Sequence, residues 1–374
     1  MDDCTTNNPR KNIPFLDYMR IVSAFFVFLF HSNGHVGIRY GFLTPFVNVG
    51  AIFMTAFFML SGVSLAYNYE SKDLLTYSDY CVFIKKRIIS VYPGYIVLYA
   101  LVMLKFLITK TMPLSVVENL VVFPVELTLF QSVFGNSFST LHNGGTWFVS
   151  CIFICYLLFP FLCKVIMQMG RKHLACFSIF AFCILAWAPV VERVMKYSWI
   201  YPNPFFRSVE FALGICLIRC RKLFTPPPPR MQRRSMMLCV FFQIFLFIGV
   251  SAIKYRLKIS SYCLYNFLTV PSFFLIFYYG ISLENHVFDS VFGTKFFKYL
   301  VKISYVFFLS QFFVWDIYRK IQSVAGIEFN SAMGFLIAFS VCMCLTVIMY
   351  ELMVKPVTKV MRKCMLKQKP GRTR

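Results

Sequence analysis

Charge is scarce in this sequence, and negative charge scarcest of all. Asp, Glu, Lys and Arg make up 14% of the 374 residues, against about 25% in ordinary soluble domains. A soluble chain of this length would need a polar surface to cover its core, and there is too little polar material for one. Only 15 acidic residues stand against 38 Lys and Arg, a formal net charge of +23. A nucleic-acid binder gathers such an excess on one face of a folded domain. Here the cations fall mainly in alternate gaps between apolar runs, which excludes nucleic acid as the partner. The 14 cysteines show neither metal-type nor disulfide-framework spacing. Residues such as Cys151, Cys155, Cys239, Cys342 and Cys344 read as small apolar fillers, and no metal site is expected. A cleavable leader is not evident either, because the first apolar run carries Arg20 and ends at His31 without a small-residue cleavage site. No internal repeat is found.

What the sequence does have is apolar and aromatic material, 59% and 19% of its residues. A hydrocarbon core about 30 Å thick takes about 20 mainly apolar residues per crossing. Runs that meet this lie near 13–32, 46–68, 88–109, 146–168, 174–192, 205–219, 236–253, 262–283, 300–318 and 332–354, the sixth being short for a full crossing. The fold class expected is therefore an all-α integral membrane protein, about ten transmembrane helices in one bundle. Between the third and fourth runs, Val116 to Phe134 is moderately apolar but interrupted by Glu118, Pro124 and Glu126, which fits a re-entrant or interfacial helix better than a crossing.

With the N-terminus inside, the inside gaps collect most of the Lys and Arg, including Lys85, Lys86, Arg87, Arg171, Arg230, Arg233 and Arg234. That bias places both termini in the cytoplasm, with an even number of crossings. The chain divides into a cytoplasmic N-terminal segment 1–12, a transmembrane domain 13–355 and a basic cytoplasmic tail 356–374. The tail from Lys363 onward is expected to be unstructured and held near anionic headgroups. Pro226 to Pro229 reads as a stiff linker between two helices.

The first helix carries the residues that point to chemistry. Arg20 and His31 are eleven residues apart, nearly three whole turns, so both lie on one face about 16 Å apart along the axis. Asp17, one turn before Arg20, stands where it can pair with the guanidinium. Either cation or imidazole taken alone has a plain reading, Arg20 snorkelling to the interface and His31 ending a span. Together on one face with Asp17 they point into the bundle, since an intramembrane Arg needs a partner or an aqueous cavity.

At these residues the chain resembles the acyltransferase-3 family of bacterial membrane proteins, which modify cell-surface carbohydrates. The family's Arg-ten residues-His signature is matched by Arg20 and His31, and its Phe-Phe-x-Leu-Ser-Gly segment by Phe57 to Gly62. A basic cluster leading to Tyr-Pro is matched by Lys85-Lys86-Arg87 and Tyr92-Pro93. A Trp-Phe opening a helix that ends near Phe-Pro is matched by Trp147-Phe148 and Phe159-Pro160. Glu-Phe-x-x-Gly is matched by Glu210, Phe211 and Gly214, and Ser-Tyr near the ninth helix by Ser304-Tyr305. These follow one another in the family's order along nearly the whole chain. Two positions depart from the pattern: Ser90 stands where a second Arg often follows Arg87, and Gln311 where the ninth-helix motif often closes in His.

The resemblance implies transfer of an acyl group, commonly acetyl from acetyl-CoA, to a sugar hydroxyl in the inner (plasma) membrane. No permanently bound cofactor is implied; the acyl-CoA is a co-substrate. A neutral imidazole, ordinary pKa about 6.5, can take the proton of a poorly nucleophilic alcohol, so His31 is the expected general base. A direct transfer and a path through an acyl-histidine are both open. Arg20, Lys86 and Arg87 are the candidates to hold the coenzyme A phosphates, though Lys85-Lys86-Arg87 also has a plain reading as a topology signal. Glu210 either lines the acceptor cavity or pairs with nearby Arg207. Trp147 is either a sugar-stacking platform or an interfacial anchor. His35, His142, His173 and His286 receive no role. The competing function is a transporter or flippase of a glycan or lipid precursor, for which intramembrane charges are equally expected.

Overall fold

The computed structural model describes residues 13–134, 142–195, 200–257, 261–283, 293–326 and 328–366. The N-terminal segment with Arg10 and Lys11, Lys196, Lys258, His286 and the last tail residues 367–374 lie outside the described residues. Among the described residues 86% are helical and none lies in a strand. The longer helices are α1 (Pro14–Val36), α2 (Phe53–Tyr69), α3 (Tyr77–Thr109), α4 (Val116–Leu127), α5 (Trp147–Gln168) and α6 (Arg171–Met195). They continue as α7 (Pro204–Leu223), α8 (Pro229–Leu257), α9 (Ser261–Ser282), α10 (Lys295–Ala325), α11 (Ser331–Ile348) and α12 (Lys355–Leu366), the last two joined by a π-helical stretch, Met349–Val354.

Each expected crossing coincides with one of these helices, and eight stretches among the described residues are long and apolar enough to span a bilayer. The chain is a multi-pass membrane protein. Of the expected crossings, the two outside those eight are α7 and α9. The first of them carries Arg207, Glu210, Arg219, Arg221 and Lys222, which lower its hydropathy, yet it is one of the most enclosed helices in the bundle. It also runs to Leu223, past the expected end, because Arg219 turns back to donate to the Met169 carbonyl at 2.9 Å and does not stop the helix.

Helix ends follow local chemistry. Pro14 opens α1 and Gly37, at φ 70°, closes it. Asn203 caps α7 ahead of Pro204, and Thr294 and Gly326 bound α10. At α4, Ser115 and Glu118 form a capping box, each side chain bonded to the other's backbone N–H,. Its 12 residues are too few to cross. Val116, Val117, Leu120 and Val121 stay exposed, as an interfacial helix requires.

The centre of the bundle is α2, whose span is 78% buried, whereas the span of α8 is 17% buried and turns Phe241, Phe242 and Phe245 outward toward lipid. Helices α2 and α7 touch backbone to backbone. A Cβ on Gly62 would stand 2.1 Å from the Phe211 carbonyl oxygen, and one on Gly214 would stand 2.2 Å from that of Met59. Small residues at such crossings let membrane helices gain packing that lipid cannot give. Helix α10 lies parallel to α1: Phe28 meets Phe307, and about two turns further His35 meets Trp315,. Lys363 to Leu366, expected to be unstructured, belong to α12, which packs beside α3.

Candidate active site

Helix α1 runs from a basic end of the bundle, where α3 begins and α2 and α5 finish, to a far end, where α2, α5 and α7 begin. Arg20 sits toward the basic end and donates to Asp17 Oδ1 at 3.2 Å, one turn away, with both side chains partly exposed. His31 sits toward the far end. Its half-buried ring lies edge-on to Phe30 and tilted against His35, with centroids at 5.3 and 5.4 Å. The imidazole hydrogen-bonds to none of the described residues, and no carboxylate fixes its tautomer. Such a ring can exchange a proton with a bound hydroxyl without first giving up a protein partner.

Because α1 continues to Val36, His35 is on the helix one turn beyond His31. It stacks on Trp315 at 5.7 Å, and Arg319, paired to Asp316 at 2.8 Å, donates to its carbonyl at 3.3 Å. The His-x3-His spacing announced this neighbour, but a helix end set at residue 32 hid it. These two imidazoles do not make a metal centre: among the described residues no three His, Cys, Asp or Glu side chains are grouped to hold an ion.

At the basic end, Arg87 is boxed by the rings of Phe83, Tyr69 and Tyr156, at 5.6, 5.7 and 5.9 Å. Among the described residues it forms no ion pair, and its Nε is buried without a hydrogen-bond partner. Arg20 and Arg87 both act electrostatically on the Tyr156 hydroxyl, so the structure gathers the cations of α1 and α3 about one phenol of α5. Lys86 is half-buried and Lys85 exposed on the same stretch. The aromatic box comes from three different helices, and no local sequence signal announces it.

The other two candidate residues lie together at the far end and are closed off. Glu210 is fully buried and takes Arg207 Nη1 on both oxygens, at 3.0 and 2.8 Å, and the Thr55 hydroxyl at 2.9 Å. Arg207 also donates to the Tyr201 carbonyl at 2.9 Å. Its guanidinium lies against the rings of Tyr201, Trp147 and Phe58, at 4.8, 5.1 and 5.3 Å. Trp147 is only 5% exposed, so it is not an interfacial anchor: the cation it stacks on draws it inward. A second closed group, unforeseen, holds α4 in place. The His142 ring bridges Glu126 Oε2 at 2.7 Å and Asn119 Oδ1 at 2.6 Å, and its backbone N–H donates to Glu126 Oε1 at 3.0 Å.

Fold and site together define a helical membrane protein in which, among the described residues, the His31 imidazole has no hydrogen-bond partner and the Arg87 guanidinium no ion pair. The sequence profile of the acyltransferase-3 family (Acyl_transf_3), an acyltransferase domain, matches residues 13–351. The chain belongs to this family, and it is an acyltransferase acting on groups other than aminoacyl. No curated protein and no solved structure matches the chain. Membership decides between the transferase and transporter readings. The shared motifs also divide by what they do in the fold. Gly62 and Gly214 are the α2–α7 contact, Tyr305 donates to the Val91 carbonyl of α3 at 3.0 Å, and Trp147 and Glu210 close the buried pair. Among the described motif residues, the His31 ring and the Arg87 guanidinium form no hydrogen bond or ion pair, and Arg20 is paired only within its own helix, with Asp17.

Proposed function

We propose that this chain is a membrane O-acyltransferase that moves an acyl group, acetyl from acetyl-CoA in the simplest case, to a hydroxyl of a surface or lipid-linked carbohydrate. The observation that carries the reading is the state of His31, an intramembrane imidazole with no hydrogen-bond partner among the described residues, on the same helix face as Arg20. The donor's phosphates bind the cations at the basic end, Arg87, Lys86 and the Asp17-paired Arg20, which by the charge bias faces the cytoplasm of a plasma-membrane protein. His31 lies about 16 Å deeper along α1. A donor anchored by phosphates must therefore present its thioester on a long arm, and the pantetheine arm of coenzyme A answers that need.

In the reaction, His31 takes the proton of the acceptor hydroxyl as its oxygen attacks the acyl carbon. The carbon–sulfur bond breaks, and the proton passes to the leaving thiolate. An intermediate acyl-histidine satisfies the same layout. Trp147 and Glu210 serve the acceptor indirectly: with Arg207 they fix the far ends of α2, α5 and α7 that wall the acceptor side.

The test uses the purified full chain with radiolabelled acetyl-CoA and the glycan of its own cells. Substituting His31→Ala is expected to lower transfer by about 10²–10⁴-fold. Arg87→Met is expected to raise KM for acetyl-CoA about tenfold, the loss of a contact of about 1.4 kcal/mol, with kcat changed less. Transfer that survives loss of the imidazole would refute the assignment. Mass analysis of surface glycan from cells lacking the protein should show the missing acyl increment.

A further inference from the structure

Gln311 of α10 lies one turn from Phe307 and one turn from Trp315, and both of those rings meet Phe28 of α1, at 5.7 and 5.6 Å. It is therefore level with Phe28, three residues or about 4.5 Å of rise from His31. At about 100° per residue, its side chain stands in the first of two rows, about 40° from each of that row's rings, and about 60° from the second. The first row, Phe307 and Trp315, touches α1. The other is led by Phe308, whose ring meets Phe57 of α2 and Phe148 of α5 at 6.4 and 5.2 Å. That direction is the interior seam between α1, α2 and α10, onto which the Arg20–His31 face also opens.

The side chain is 2% exposed, yet among the described residues neither its amide oxygen nor its amide nitrogen has a hydrogen-bond partner. Its neighbour Ser310 is turned to α11 instead and is paired there, with Thr346 at 2.9 Å, and donates to the Phe307 carbonyl at 3.1 Å. A buried amide with both ends open is costly, and a ligand at the seam would complete it. At this position the resembling family often has His; the exchange keeps a donor and an acceptor but removes a titratable charge.

The geometry points to Gln311 as a further catalytic residue, its Nε2–H donating to the acyl carbonyl oxygen while that oxygen carries negative charge. This rests on the acyl-transfer reading above. As the acceptor oxygen bonds to the acyl carbon, the carbonyl electron pair moves onto oxygen and is held by the amide. When the pair returns, the carbon–sulfur bond breaks and the sulfur leaves with its electrons, to receive the proton that His31 took. Gln311 exchanges no proton in either step. A neutral donor suits this role, because it stabilises the oxyanion without competing with His31 for the proton.

The experiment compares wild type, His31→Ala, Gln311→Met and Gln311→His as purified full chains with acetyl-CoA and acceptor glycan. For Gln311→Met, kcat is expected to fall about 10²–10³-fold with KM for acetyl-CoA within about twofold of wild type. Its apparent melting temperature should be unchanged or higher, since Met fills the space without open polar atoms. Gln311→His, which restores a donor, should regain at least about tenfold of the lost kcat. A merely structural amide predicts instead a lowered melting temperature with activity falling in step, and that result overturns the proposal. So does a Gln311→Met kcat within about threefold of wild type while His31→Ala is inactive, which sinks Gln311 alone. A wild type that transfers no acyl group from any acyl-CoA sinks both this role and the reaction assigned above.

Discussion

Substituting Glu210→Gln removes one negative charge from a place with no water. The carboxylate holds Arg207 through both oxygens, at 3.0 and 2.8 Å, and takes the Thr55 hydroxyl at 2.9 Å, with both ionic side chains fully buried. The amide keeps one acceptor but turns an N–H toward a guanidinium N–H, so at least one charge-assisted bond of about 1.5–3 kcal/mol is lost and the other loses its ionic part. The rings of Tyr201, Trp147 and Phe58 continue to attract the cation, worth about 2 kcal/mol in a dry site, but they did so before the change and do not offset it. A loss of about 3–5 kcal/mol follows, the range for breaking a buried pair from one side. That is more than a hundredfold in the folded fraction. The assay is the monodisperse fraction of purified protein after graded heating. The informative partner is Arg207→Met with Glu210→Leu, which removes both charges at similar volume and is expected to recover most or all of the stability. Because the pair is closed to ligand, the double variant should also recover transfer to within about threefold of wild type. A Glu210→Gln protein as heat-stable as wild type would refute the energetic argument. A stable double variant that binds acceptor poorly would show that the carboxylate itself meets the sugar.

Two more outcomes follow from packing and capping. Gly62→Ala places a methyl 2.1 Å from a backbone oxygen of α7, which no side-chain rotation relieves, so the helices must part; a loss of about 1–3 kcal/mol is expected by the same heating assay. At α4, the Ser115 N–H and hydroxyl donate to Glu118 and hold its carboxyl below its ordinary value of 4.5. A lowered carboxyl pKa adds stability that is complete above that ordinary value and lost as pH falls through the folded one. Protection factors of the amides at the start of α4 should therefore stay high at neutral pH and fall under acid, and Glu118→Gln should blunt that pH dependence while leaving α3 and α5 unchanged.

Most helices were legible because their apolar runs are long enough to cross, and several are bounded by Pro, Gly, Asn or Thr. The Asp17–Arg20 pair was legible for a similar reason, a one-turn spacing inside a single helix. What stayed hidden joins distant parts of the chain. Tyr69, Phe83 and Tyr156 become one box around Arg87 only when α2, α3 and α5 pack. Trp147 looks like an interfacial residue until Arg207, sixty residues on in a helix of low hydropathy, is seen beneath it. His142 read as a loop histidine because its partners, Asn119 and Glu126, sit 23 and 16 residues back, on a helix too short to span. In each case the local sequence supplies the residue type, and only the bundle supplies the partner.

That division also separates structure from chemistry among the polar groups inside the membrane. Lipid cannot solvate a charge or an amide, so each such group must find a protein partner, a water-filled space or a ligand. Arg207, Glu210, Glu126 and His142 found protein partners and are closed. His31, Arg87 and Gln311 did not, although Ser, Thr and Tyr hydroxyls are plentiful around them. Leaving such polar side chains open lowers stability, and the fold offsets this with tight packing nearby, where Gly62 and Gly214 bring α2 and α7 into backbone contact. The prediction that separates this view from mere imperfection is its sign. Apolar replacement at Gln311 should leave the protein as stable or more so and make it slower, whereas apolar replacement of Glu210 alone should make it fall apart. Two buried polar residues of one bundle would then respond oppositely to the same kind of change, because one is completed by the protein and the other by what it binds.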